Sequence, residues 1–285
     1  GTTGKPKGVV RDNGGHAVAL KYSMKAIYNM EAGDVFWAAS DVGWVVGHSY
    51  IVYAPLLAGC TTVVFEGKPI KTPDAGAFWR VCEAIRKEDP DSKLLKQYDL
   101  SHLKAIFMAG ERLDPPTYTW TTETIGKPVI DHWWQTETGW AICGNLTGIE
   151  MKAPKAGSST LPMPGFNVQI VDSEGNELPA GEQGNIAMKL PLPPSCLPTV
   201  WGDHERFRTG YLSEFPGYYS TGDGGYKDEE GYVFIMGRTD DVINVAGHRL
   251  STGEMEEIVA SHPAVAECCV IGVNDPLKGQ QPIGL

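Results

Sequence analysis

The feature that most narrows the folds open to this chain is a run of short apolar stretches, ended by glycine or proline, that alternate with helically spaced segments. Residues 14–30 carry Ala17, Leu20, Met24, Ile27 and Tyr28 at helical spacing, and 34–39 then reads as a buried strand. A helical stretch over 49–57 leads through Ala58 and Gly59 into an apolar run at 61–65, and 103–110 and 127–131 are two further short apolar runs. Strands alternating with helices imply βαβ units and a largely parallel sheet. Near Gly157 the texture changes to Gly- and Pro-rich sequence with short alternating runs at 167–171 and 184–188. These read as antiparallel strands joined by tight turns at 172–175 and 228–231. After Asp240 and Asp241 a new α/β pattern begins, with a helix expected over 253–261 and a strand over 264–273.

Composition removes several function classes. A net charge of -11, from 24 Lys+Arg against 35 Asp+Glu, leaves no concentrated cationic face for nucleic acid. The most apolar stretch, 45–65, is broken by His48, Ser49, Pro55, Thr61 and Thr62, so no membrane span is expected. The six cysteines lack C-x-x-C spacing, which favours a reducing compartment over a disulfide scaffold. The opening Gly1-Thr2-Thr3-Gly4 has neither the cationic start nor the apolar core of a signal peptide and looks like the middle of a loop. At the other end Leu285 directly follows a strand pattern, so the chain is expected to be a fragment.

Gly1 to Gly8 combines glycines with Thr2, Thr3, Lys5 and Lys7. Backbone N–H groups freed by Gly1 and Gly4, with hydroxyl and ammonium donors, make a cradle for a polyphosphate. The Walker A spacing fails, and a flexible polar loop remains the alternative for this motif alone. Three more segments follow in order: Trp133-Trp134-Gln135-Thr136-Glu137-Thr138-Gly139, Tyr219-Ser220-Thr221-Gly222-Asp223, and Gly237-Arg238-Thr239-Asp240-Asp241.

These four segments together resemble the core motifs of the adenylate-forming superfamily. The sequences GRTDDVINVAGHRL, WWQTETG and DVGWVVGH are similar to its AMP-forming short-chain acyl-CoA synthetase branch. The resemblance implies an α/β fold: a large multi-subdomain adenylate-forming domain, with parallel-sheet αβ layers (1–156) and a β-rich barrel-like part (157–239), then the start of a small mobile α+β C-terminal domain (240–285) hinged at Asp240. It also implies ATP, Mg²⁺ and coenzyme A as cofactors and a small carboxylate as substrate, in the cytoplasm or the mitochondrial matrix.

The same resemblance assigns the residues. Lys5, Lys7, Thr2 and Thr3 would donate to phosphate, and Glu137 would support Mg²⁺, a solvated loop acid being the alternative. Gly110, Glu111, Asp131, His132, Trp133, Gln135 and Thr136 would line the adenine and α-phosphate. Asp223 would accept both ribose hydroxyls, because one carboxylate has two oxygens for a vicinal diol; a turn aspartate is the bland alternative. Arg238 and Arg249 would meet ribose and phosphate. Trp134 would close an acyl pocket whose wall includes Val45 and Val46, although one of the two tryptophans is expected to be a core aromatic. Ala246 and Gly247 would line the coenzyme A path. His262, with Ala260 and Val265, is similar to a backbone cation site of some members, although a helix-ending histidine is the preferred reading.

Departures from the family pattern refine these expectations. Arg112 stands where proline is usual, Ala246 where a serine is usual, and Val46 where acetate-type enzymes carry threonine, which favours propionate over acetate. Between Glu83 and Ala84 the family inserts a strand and a loop that are missing here, and the resemblance implies that the catalytic lysine of adenylation would come after Leu285. An active ligase is therefore expected for the parent protein; a truncated, non-catalytic nucleotide-binding or interaction remnant is the alternative.

Overall fold

The computed structural model describes residues 6–64, 100–101, 103–110, 113–239, 242–246, 248–260, 262, 264–265 and 268–285. They divide into two compact units, one of 1–166 with 191–207, the other of 167–190 with 208–285.

The first unit holds two parallel strand pairs, each joined through helix. Helix α1 (Asn13–Ala26) starts where the Asp12 side chain accepts from the Gly15 N–H at 2.6 Å, and it buries Ala19, Leu20, Ser23, Met24 and Ala26. Fully burying a leucine or methionine contributes about 1.5 to 3 kcal/mol, so Leu20 and Met24, both at 0% exposure, anchor this helix. Strand β1 (Val35–Phe36) pairs in parallel with β2 (Thr61–Thr62). Their connection is a π-helical segment, Gly47–Tyr53, continued by α2 (Ala54–Ala58). The helix expected over 49–57 thus begins at Gly47 and opens with the wider winding. Gly47 is required there, since a Cβ would lie 2.4 Å from Val42 Cα. The strands expected over 34–39 and 61–65 pair over two residues each.

Strand β3 (Ile106–Met108) pairs in parallel with β4 (Val129–Asp131), through α3 (Pro115–Ile125). That helix follows from its sequence: Asp114 caps it by accepting from the Thr117 N–H at 2.9 Å, Pro115 and Pro116 fill the first turn, and Gly126 ends it at φ 64°. The antiparallel pair β5 (Cys143–Gly144) and β6 (Leu161–Pro162) completes the described strands of this unit.

The second unit is antiparallel. β7 (Val168–Val171), β8 (Gly184–Lys189), β9 (Tyr218–Lys227) and β10 (Val233–Arg238) form one sheet in the order β10-β9-β8-β7. Val171, Ala187 and Phe215 pack beneath it. A second sheet, ordered β12-β11-β14-β13, comprises β11 (Val242–Val245), β12 (His248–Ser251), β13 (Val270–Asp275) and β14 (Gly279–Gly284), with helix Thr252–Ala260 between β12 and β13. The strand expected over 264–273 begins only at Val270, because the Val265 N–H closes a turn onto the His262 carbonyl at 2.9 Å. The suspected gap between Glu83 and Ala84 lies outside the described residues.

Candidate functional site

The carboxyl ends of parallel strands are where open α/β sheets place their ligands. In the first unit, β3 and β4 end at Met108 and Asp131. Gly110 follows β3, exposed and at φ 108°, a conformation that only glycine adopts readily. Asp131 is buried at 9% exposure. His132 is buried as well: its backbone N–H donates to the Met108 carbonyl at 3.0 Å, and its ring nitrogens lie 2.6 Å from that same carbonyl and 2.9 Å from the Tyr28 hydroxyl. The carbonyl can only accept, so Nδ1 carries the proton and Nε2 accepts from Tyr28. Burial pushes this imidazole down to about 4, which keeps it neutral. The side chain therefore braces the strand end from inside, and only its carbonyl is left for a ligand.

Behind His132 lies a polar chain inside an aromatic cluster. Tyr28 stands edge-on to Phe36, Tyr50, Phe107 and His132, with ring centroids between 4.7 and 5.7 Å apart. Tyr50 reaches Ser23 at 3.0 Å, and burial pushes its phenol up to about 12. On its other side Tyr50 meets the half-buried Trp134 ring at 5.4 Å and 88°. Tyr50 lies on the same π-helical segment that Val46 caps, and Val45 and Val46 are both half-buried at its start. The Trp134 indole is thus backed by the Tyr50 ring, on the segment that Val45 and Val46 lead into.

The loop 133–139 is held on several sides. Trp133 bonds Cys143 and Ile142 through its backbone, and Gln135 accepts from the Thr138 and Gly139 N–H groups at 3.2 and 3.0 Å. Ser49 donates to the Gly139 carbonyl at 2.8 Å. Thr136 is exposed. Glu137 is the loop's chemical tip: its carboxylate, 13% exposed, accepts from Lys7 Nζ at 2.5 Å. Lys7 and Glu137, two residues singled out from sequence for phosphate and metal, are therefore in contact. Arg11, Ser49, Tyr28 and Tyr50 were not singled out.

In the second unit Asp223 and Arg238 are register partners on β9 and β10. Asp223 is 7% exposed, and its carboxylate lies 3.7 Å from Arg238 Nη1. The same nitrogen donates to the Thr221 carbonyl at 3.1 Å. Gly222, at φ 70°, leaves room for the guanidinium, which a Cβ would approach to 2.6 Å. Ala246 is exposed at φ 50° in the turn between β11 and β12, with its N–H on the Lys278 carbonyl at 2.8 Å. Arg249 pairs with Asn244 through the backbone. His262 is exposed, its Nδ1 accepting from the Ala264 N–H at 3.2 Å, in the turn that follows helix Thr252–Ala260. Gly1, Thr2, Thr3, Gly4, Lys5, Glu111, Asp240 and Gly247 lie outside the described residues, as do the side chains of Arg249 and Ala260.

Which metal could this donor set hold? No group of three or more His, Cys, Asp or Glu gathers among the described residues, so no closed protein cage is formed there. A single carboxylate beside a lysine fits Mg²⁺, which is commonly held by one or two carboxylates together with substrate phosphates. Among the described residues no helix is long and apolar enough to cross a membrane.

Residues 1–192 match the AMP-binding enzyme family, and 254–285 match the AMP-binding enzyme C-terminal domain. An uncharacterized protein of Pseudomonas aeruginosa is 60% identical over 300 residues, covering 100% of this chain and 48% of that protein. The human "Acyl-CoA synthetase short-chain family member 3, mitochondrial" is 51% identical over 301 residues, with 100% and 44% covered. "Propionate--CoA ligase" of Escherichia coli is 52% identical over 297 residues, with 98% and 47% covered. The chain spans about half the length of these relatives. The stretch matched in the first is longer than this chain, so that relative carries residues within the span that this chain lacks. Among solved structures, the anthranilate CoA ligase AuaEII in complex with anthranoyl-AMP superposes with a TM-score of 0.77 at 25% identity, covering 99% of this chain and 54% of that one.

Proposed function

The chain belongs to the AMP-binding enzyme family, and from that premise we propose that the protein carrying it activates a short-chain carboxylate with ATP and passes the acyl group to coenzyme A. A carboxylate resists attack by a thiol because its leaving group would be an oxide. Its oxygen therefore first attacks the α-phosphate, pyrophosphate leaves, and an acyl-adenylate forms. The thiol of coenzyme A then displaces AMP to give the thioester.

The observation that carries this reading is the contact of Lys7 with Glu137 in the same loop as Trp134, whose ring stands edge-on to Tyr50. Phosphate and acyl group would be held side by side, as adenylation requires. When ATP arrives, Lys7 exchanges its carboxylate partner for a phosphate oxygen, with Lys5, Thr2 and Thr3 donating beside it. Glu137 would be the residue to support Mg²⁺, which would supply neutralisation of charge on the phosphates. Asp131, Trp133, Gln135, Thr136, Gly110 and Glu111 line the nucleotide, and the His132 carbonyl joins them. Asp223 takes the ribose diol, with Arg238 beside it and Arg249 near phosphate. Ala246 and Gly247 border the coenzyme A path, and Asp240 is the hinge.

Val45, Val46 and Trp134 make a small apolar acyl pocket, which fits propionate better than acetate. One methylene shifts such a preference by only about 1 to 3 kcal/mol. The protein would work in a reducing compartment, the cytoplasm or the mitochondrial matrix. Carboxylate-dependent exchange of pyrophosphate into ATP by the whole protein tests the reading, because it reports adenylation alone. Exchange should rise with added propionate, and exchange indifferent to propionate and acetate refutes the proposal.

A further inference from the structure

Arg11 lies four residues after Lys7, immediately before the aspartate that caps α1. Its own segment is fixed by backbone bonds, with the Val10 N–H on the Thr199 carbonyl at 3.2 Å and a bridge between Val9 and Val200. From there the guanidinium crosses to the loop that bears Glu137. One terminal nitrogen donates to the Glu137 carbonyl at 2.6 Å and lies 3.4 Å from the Ser195 carbonyl; the other donates to the Thr136 carbonyl. The Glu137 carbonyl also accepts from the Leu197 N–H at 2.9 Å, so two donors converge on it.

A planar fork with fixed donor directions can hold two consecutive carbonyls at once, which a lysine ammonium cannot do with the same definition. The seat is built for it. Gly139 sits at φ 76°, and a Cβ there would come within 2.8 Å of the guanidinium carbon. Glu137 is consequently gripped at both ends by one stretch of chain, its carboxylate by Lys7 and its backbone by Arg11.

We propose that Arg11 is a positioning residue that fixes the Thr136–Glu137 peptide and thereby aims the Glu137 carboxylate at the phosphate end of the nucleotide. This inference rests on the adenylation reading above. The site is not complete without it: a carboxylate on a loop free to turn would meet Mg²⁺ and ATP only in a fraction of its conformations, and binding that depends on it would weaken by that fraction.

The test uses Arg11→Ala and Arg11→Lys in the whole protein, with wild type beside them. Hydrogen exchange of the amides of residues 135–139 is measured without ligand, and ATP binding is measured by calorimetry with Mg²⁺ and with EDTA. In Arg11→Ala the loop amides should exchange faster, and the gain in ATP affinity that Mg²⁺ brings should fall by about tenfold or more, the loss expected when a charged hydrogen bond is removed. ATP affinity in EDTA should change less than about threefold, and Arg11→Lys, which keeps the charge and the fold, should fall between. Guanidinium chloride at tens of millimolar should restore part of the Mg²⁺ effect in Arg11→Ala, where sodium chloride does not. An unchanged Mg²⁺ effect in either variant, or equal losses with Mg²⁺ and EDTA, overturns the proposal. A wild-type protein that exchanges pyrophosphate while the variants keep its Mg²⁺ response refutes Arg11 alone; a wild type without exchange refutes the adenylation reading and this inference with it.

Discussion

Acidification should unfold the first unit chiefly through His132, and the structure sets the size of the effect. The imidazole is 6% exposed, donates to the Met108 carbonyl and accepts from Tyr28, and burial holds it at about 4 against an ordinary 6.5. A depressed folded value means that the unfolded chain takes the proton first as pH falls. The stabilisation is fully present above 6.5 and is lost progressively towards 4. One pH unit corresponds to about 1.36 kcal/mol, so the full loss is about 3 kcal/mol, of which about 2 kcal/mol is gone by pH 5. His16, also pushed to about 4 by burial and then by Arg11, is only half-buried, and solvent screening discounts what it adds. All eight tryptophans lie in the first unit, so tryptophan fluorescence in urea follows that unit alone. His132→Gln should cost about 1 to 3 kcal/mol at pH 7 from its unmatched partners. The gap between variant and wild type should then close by about 2 kcal/mol at pH 5. Stability curves for the two proteins that stay parallel between pH 7 and 5 would refute the argument, since His132 would then take up its proton as readily in the folded protein as in the unfolded chain.

Two further outcomes follow from the site. Trp134→Gly removes the ring that stands edge-on to Tyr50, and kcat/KM for butyrate relative to propionate should rise by roughly fourfold, the equivalent of about 0.8 kcal/mol for one more buried methylene; an unchanged ratio in a folded variant makes Trp134 a core aromatic. Asp223→Ala removes a buried acceptor beside Arg238, and kcat/KM for ATP should fall by an amount equivalent to about 1 to 3 kcal/mol; unchanged ATP kinetics would leave Asp223 as a turn residue.

What could be read from sequence and what could not divides along the range of the forces involved. The helix at Pro115–Ile125 is announced locally, by Asp114, two prolines and Gly126, and the turn at 228–231 by Asp228, whose carboxylate accepts from the Glu230 and Tyr232 N–H groups. Such signals act within a few residues, so one sequence suffices. The π-helical opening at Gly47 answers to a close approach of Gly47 to Val42, a local contact that no residue type in the sequence announces. The same holds for the division into units: texture changes near Gly157, yet 191–207 returns to the first unit, where Trp140 donates to Ser195 and Leu197 to Glu137.

The candidate site shows the distinction most clearly. Glu137, Lys7, Asp223 and Arg238 stand in motifs whose residue types announce charge chemistry, and they could be named from the sequence. Arg11 and Tyr28 act on residues more than a hundred positions away, where neither spacing nor periodicity carries information. Their chemistry is nonetheless what makes the motif usable. A seven-residue loop has no ladder of its own, and each residue that it orders costs about 1 to 2 kcal/mol of backbone entropy. Turn bonds onto Gln135 offset part of that cost, and partners outside the loop offset more: a guanidinium on two carbonyls, a serine on the Gly139 carbonyl and an imidazole braced beneath the strand end. Residues that touch the reacting groups can therefore be legible as motifs while those that hold them in place are legible only from the fold.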